Sequence, residues 1–271
     1  MKIFPLPEVI ALQSFGVAES GANKPLFIRG VELGNRKSGD YVLKYRGAER
    51  MDEGACQREL LAAWLATEMK ISTPSPVVVH VTSQFVETLR GKDVYANVSK
   101  SIGLNFGTRY VPANLPLRPG QLLSPEQERQ AARIFVFDQL IRNADRNERK
   151  PNLFLANEQI FAIDHELAFD FLFILPSLLN PVAWQLNDTD VNAAKNHFFF
   201  PSVYKRSKTL DWEAVYEPFF TVNLDWTQFA SECPPAWHDA TTLDKIKTRI
   251  NTILTNIEKF KSELWNKLLA S

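Results

Sequence analysis

Three polar residues near the middle of this 271-residue chain have the types and the order that moving a phosphoryl group requires. Asp145 lies in the run Asp138-Gln139-Leu140-Ile141-Arg142-Asn143-Ala144-Asp145-Arg146, Asn152 follows seven positions later, and Asp164 ends Phe161-Ala162-Ile163-Asp164. The first segment reads as a helix entering a polar loop, the second as the far strand of a hairpin that stops on an acid. Phosphoryl transfer needs a carboxylate beside the attacking hydroxyl, and an amide oxygen with a second carboxylate for Mg²⁺, all at the mouth of a rigid hairpin. Asp145, Asn152 and Asp164 match those roles. Singly, each segment reads more readily as plain structure, with Asp145 in a polar turn, capping or pairing with Arg142, Arg146 or Arg149, and Asp164 ending a strand. Their order and the hairpin between them carry the functional reading.

A second group lies upstream. Catalysis of this kind places a strand lysine against the α- and β-phosphates and fixes it with a glutamate from the next helix. Lys44 ends the strand-like run Tyr41-Val42-Leu43-Lys44, and the helical segment after it offers Glu53 and Glu59. A phosphate-covering loop is expected over residues 14–24, where Ser20, Gly21 and Asn23 could present backbone N–H groups to phosphate oxygens. No Gly-x-x-x-x-Gly-Lys-Ser/Thr run occurs, which excludes the P-loop NTPases. Paired carboxylates also suit glycoside hydrolysis, but Asp145 is followed by Arg146 and lacks the apolar setting that raises an acid's pKa.

The middle segment resembles the catalytic region of the HipA-like kinases, distant relatives of the phosphatidylinositol kinases and the eukaryotic protein kinases. The resemblance rests on Asn143-Ala144-Asp145-Arg146, Asn152-Leu153 and Ile163-Asp164-His165, in that order, and spans residues 24–169. It implies an α+β, bilobal protein-kinase-like fold with a small strand-rich N-lobe, a larger mostly helical C-lobe and a cleft for ATP. It implies Asp145 as the catalytic aspartate, Asn152 and Asp164 as metal ligands, and Arg58-Glu59 as the pair that supplies the partner of Lys44. Arg146 and Lys150 are cations available to the charge on the transferred group. One departure stands out: Asp145 and Asn152 are seven positions apart, against about five in the protein-kinase loop, so Asn147 competes for the metal. ATP and Mg²⁺ follow as cofactors, and a protein Ser/Thr hydroxyl as acceptor, with a neutralising antitoxin-like partner as in some toxin members. A small-molecule or lipid-headgroup kinase and a nucleotide-binding scaffold are the rival readings.

These residues need elements to hold them. Residues 25–29 and 41–45 read as two strands of a hairpin, and residues 53–69 as an amphipathic helix with Leu60, Leu61, Trp64 and Leu65 on one side. Residues 77–81, 94–98 and 109–111 read as strands, and the Pro-rich stretch 112–120 as a linker. Ser124-Pro125-Glu126-Gln127 starts a second helix. The lobes are then 1–111 and 122–271, joined by 112–121. The apolar run 169–179 reads as core, and 243–269 as helix. His165 supports the loop from the face opposite Asp164, whereas His80, His197 and His238 lack metal-ligand spacing and read as surface or core residues.

Composition sets outer limits. Lysine plus arginine equals aspartate plus glutamate at 31 each, so no global field favours nucleic acid or an anionic membrane. Two distant cysteines form neither a disulfide framework nor a zinc set, and the N-terminal residues lack a signal peptide's apolar run. A cytoplasmic protein without a membrane span is the expectation.

Overall fold

The computed structural model of the chain describes residues 3–18 and 24–270. It is mixed α+β, strand-rich in its N-terminal part and helical in the rest. In chain order the elements are β1 (Glu8–Val17), β2 (Leu26–Glu32), β3 (Ser38–Lys44), α1 (Glu53–Glu68), β4 (Pro76–Val81), α2 (Ser83–Glu87), α3 (Tyr95–Val98), β5 (Gly103–Arg109) and β6 (Leu115–Pro116). There follow α4 (Pro125–Leu140), β7 (Leu153–Ala156), β8 (Gln159–Ala162), α5 (Asp188–Lys195), α6 (Phe200–Arg206), α7 (Trp212–Thr221), α8 (Trp226–Glu232), α9 (Ala240–Thr255) and α10 (Ile257–Leu264). A π-helical turn, Trp265–Leu269, ends the chain's last helix. No helix among the described residues is long and apolar enough to cross a membrane.

Two compact units divide the chain. The first comprises Met1–Trp64, Pro74–Pro112 and Thr227–Asp239. Its strands close into a barrel in the order β1-β2-β3-β5-β4, antiparallel throughout except where β1 runs parallel to β4 with Val9 opposite Val79. Side-chain alternation fills the interior with Val9, Leu26, Ile28, Tyr41, Leu43, Val77 and Val79. On β3 that alternation turns Tyr41 and Leu43 inward and Val42 and Lys44 outward, so the register that builds the core also presents the lysine.

α1 forms where the helical spacing predicts it, but it is not amphipathic. Ala55, Cys56, Gln57, Glu59 and every residue from Leu60 to Ala66 are buried. Between Ala55 and Ala66 only Arg58 is partly exposed, so the middle of the helix has no polar stripe to display. Within this unit Trp64 meets Phe229, their rings 5.2 Å apart, and Gln57 Nε2 donates to the Asp239 carbonyl at 3.2 Å. Other expectations are also corrected. Residues 95–98 are helical, because Val94 and Val98 stand one turn apart and both reach the core. The strand expected at 109–111 instead ends at Arg109, and residues 14–17 of the expected phosphate loop belong to β1.

The second unit comprises Leu65–Thr73, Ala113–Trp226 and Ala240–Ser271. α4 starts with a capping box in which Ser124 Oγ accepts from Gln127 N and Gln127 Oε1 accepts from Ser124 N, with Pro125 in the first turn. β7 and β8 form the expected hairpin, Leu153 opposite Ala162, and β6 adds two residues of the supposed linker to its edge. The run 169–179 is core only at its start. Phe169 is buried, but Phe173, Leu175 and Leu178 are exposed in and beside short 3₁₀ turns that offer no continuous face to bury.

Candidate active site

In the first unit, Lys44 at the end of β3 is ion-paired with Glu59 of α1. Both side chains are largely removed from water, and in such surroundings a lysine and its glutamate fix each other's position. Arg46 pairs with Glu53 instead, which separates the two glutamates the sequence left open as partners of the lysine. Ser20, Gly21 and Asn23 lie outside the described residues.

In the second unit, α4 ends at Leu140, and a left-handed residue, Arg142 (φ 51°), turns the chain into the polar loop. Asp145 is half-buried there, and Lys150 Nζ lies 3.6 Å from its Oδ2. Asn147 is occupied: its Oδ1 accepts from the backbone N–H of Arg149 at 3.0 Å and of Lys150 at 3.2 Å, and its Nδ2 donates to the Asp145 carbonyl. An amide spent on local turns has little left for a metal. Asn152 stands just before β7 and Asp164 just after β8, so the hairpin brings these two to the same end. Its register is continued by Ile163 N donating to the Asn152 carbonyl at 3.0 Å. Asp164 and Glu166 bring carboxylate oxygens within 4.8 Å of each other. Glu166 was not singled out from the sequence, although an acid two residues beyond another is the available signal.

Beneath the loop is a buried polar network that sequence reasoning missed. Asp138, on the apolar face of α4, accepts from Arg146 Nε at 2.6 Å and His197 Nε2 at 2.9 Å, and its other oxygen accepts from Asn143 Nδ2 at 3.0 Å. Arg146 is only 1% exposed, so it cannot serve as the phosphate-facing cation expected from the sequence. Its Nη1 donates to the Asn152 carbonyl at 2.6 Å and the Ile163 carbonyl at 3.3 Å, and its Nη2 lies 3.2 Å from His165 Nε2. An arginine only donates, so His165 accepts through a bare Nε2 and carries its proton on Nδ1. His197 has the opposite tautomer: Nδ1 accepts from Phe199 N at 3.1 Å and Nε2–H faces Asp138.

The charges in this network follow from their surroundings. Burial pushes the Asp138 carboxyl up, but the Arg146 charge and the His197 hydrogen bond outweigh it and hold the group well below the usual carboxylate range. Burial pushes His197 down, and the pull of Asp138 does not restore it, so the ring is neutral near pH 7. His165 supports the loop as its position beside Asp164 leads one to expect, and the buried His197 takes the core alternative left open for it.

A model of the HipA-like kinase family matches residues 18–268, and the chain belongs to that family. Membership supports a kinase-type phosphotransferase and, for such enzymes generally, the use of ATP and a divalent metal. Among solved structures, the crystal structure of a Helicobacter pylori proinflammatory kinase, CtkA, is similar at 13% identity with a TM-score of 0.47, covering 90% of this chain and 96% of that one. Curated proteins give no match.

Proposed function

We propose that this chain transfers the γ-phosphoryl group of ATP, with Mg²⁺, to a serine or threonine hydroxyl of a protein. In this reading the strand-rich unit is the small lobe and the helical unit the large lobe of a kinase fold. The observation that carries it lies in the second unit. One hairpin positions Asn152 and Asp164, Glu166 sets a second carboxylate within 4.8 Å of Asp164, and the loop feeding that hairpin presents Asp145. Two carboxylates and an amide are hard oxygen donors of the number that Mg²⁺ accepts while it keeps waters and phosphate oxygens as further ligands. That donor set fits the metal, and Lys44 held by Glu59 fits the phosphates.

Each residue then has a defined task. Lys44 donates to α- and β-phosphate oxygens, and Glu59 keeps its ammonium from wandering. Asp164, Glu166 and Asn152 hold the cation, which when bound neutralises phosphate charge. Asp145 accepts a hydrogen bond from the acceptor hydroxyl, aims its oxygen, and takes the proton as the new O–P bond forms and the bond from the γ-phosphorus to the β,γ-bridging oxygen breaks, releasing ADP. Lys150, with 44% of its side chain exposed, replaces Arg146 as the mobile cation beside this step.

Purified protein with γ-labelled ATP, Mg²⁺ and a cell extract tests the reading. Label should enter protein as phosphoserine or phosphothreonine and fall by a factor of about 10²–10⁴ in Asp145→Ala and Asp164→Ala. Label entering a small molecule or lipid would reassign the acceptor. Wild-type protein that neither binds nor turns over ATP would defeat the proposal.

A further inference from the structure

We infer that Arg146 is a positioning residue for the metal, holding the two ligand-bearing turns at a fixed separation; this rests on the function proposed above. Asn152 has φ 50° and Asp164 φ 61°, so both candidate ligands sit in the left-handed region. Residues with a Cβ enter that region at a cost, and asparagine and aspartate tolerate it best. Neither turn is stabilised by glycine, so something else must keep them in place.

The guanidinium of Arg146 is suited to that task. It donates to the carbonyl of Asn152 and to the carbonyl of Ile163, the residue before Asp164. The same Asn152 carbonyl also receives the Ile163 N–H. One side chain therefore ties the backbone of both ligand-bearing turns together. Its remaining donors are committed to Asp138 and His165, and Asp138 is itself held by His197 and Asn143. Arg146 follows Asp145 directly, so the anchor that sets the ligand separation also fixes the loop presenting the catalytic carboxylate. A lysine could offer a charge at this place, but not a planar fork that reaches a carboxylate, the carbonyls of Pro151, Asn152 and Ile163, and an imidazole together.

Outer partners of this kind typically alter metal affinity by 10–100-fold when removed. The test is Mn²⁺ binding, followed by electron paramagnetic resonance without nucleotide, in wild type, Asp164→Ala and Arg146→Lys, at a temperature where circular dichroism shows each protein folded. Arg146→Lys should raise the dissociation constant at least about tenfold, and in turnover it should raise the Mg²⁺ requirement while the KM for ATP at saturating metal changes by less than about twofold. Unchanged Mn²⁺ affinity in folded Arg146→Lys overturns the inference alone. Wild type lacking Asp164-dependent binding overturns the proposed metal site and the inference with it. If Arg146→Lys does not fold, His197→Ala decides: it leaves Arg146 and Asp138 in place and removes the N–H that His197 gives to Asp138. A weakening of about threefold supports the inference, and no change overturns it.

Discussion

Asp138 touches none of the reacting groups in the proposed mechanism, yet the loop bearing Asp145 depends on it. Fully buried, it offers its two oxygens to Arg146, His197 and Asn143, so truncation leaves a guanidinium in the interior without its counter-charge. Breaking a buried pair from one side typically costs about 3–5 kcal/mol. Asp138→Ala should lose stability of that order in urea unfolding, whereas a loss below about 1 kcal/mol would mean that water or neighbouring groups replace the carboxylate. The cysteines make a contrasting case. Cys56 and Cys233 are buried, and burial pushes both thiols up to about 12, so each stays protonated at neutral pH. A thiol reagent such as DTNB should leave native protein unlabelled over minutes and titrate two thiols once denaturant is added. Rapid labelling of the native protein would contradict the burial of these sites.

The first unit's barrel depends on close backbone approach at Gly107 of β5, which pairs with Leu43 one residue before Lys44. A Cβ there would lie 2.6 Å from Val79 Cγ2 and 2.9 Å from the Val42 carbonyl, and the carbonyl cannot step aside without moving β3. Gly107→Ala should cost about 1–3 kcal/mol in thermal unfolding. If it shifts β3, it should also weaken nucleotide binding; a neutral substitution would show that the barrel is looser than its packing implies. Elements of this kind differ in how far the sequence discloses them. The first hairpin, α1, α4 and the β7–β8 hairpin carry local signals: Asn and Gly turns, helical spacing, a capping box. Residues 94–98 do not, because their valines suit a strand by composition and a helix by spacing, and only packing against the barrel decides. β6 is two residues long and includes Pro116, too little to stand apart from a linker. The burial of α1 around its middle turns is equally hidden, since Gln57 and Glu59 interrupt its apolar residues and yet both are buried. The site follows the same rule. Asp145, Asn152 and Asp164 share one short run of chain and could be singled out there as candidates. Asp138 could not be assigned its role, because its histidine partner lies far along the sequence and becomes a neighbour only after folding.

At the scale of the whole molecule, equal numbers of acidic and basic residues leave no net field, so pH acts through a few individual groups and not through general repulsion. The chain has four histidines, the side chain whose ordinary pKa lies nearest neutrality. Of these His238 is exposed and His80 is partly exposed beside Glu8, whereas His197 is buried with its pKa lowered from 6.5. A lowered pKa means that the unfolded chain binds the proton more readily than the folded one. The stability contributed is therefore complete above pH 6.5 and is lost as pH falls from there through the folded value, with a slope of at most about 1.4 kcal/mol per pH unit for one group. Asp138, also lowered, adds a second loss with the same sign, starting only below its ordinary value of 3.8. Urea midpoints should be level from about pH 7 to 8 and decline between pH 6.5 and 5, with carboxylates such as Asp138 taking over at lower pH. His197→Gln retains an N–H donor for Asp138 and has no proton to gain, so it should make the upper limb shallower and leave the lower one in place. An upper limb of unchanged slope in that variant would place the titrating group elsewhere in the molecule, and with it the source of the protein's sensitivity to mild acid.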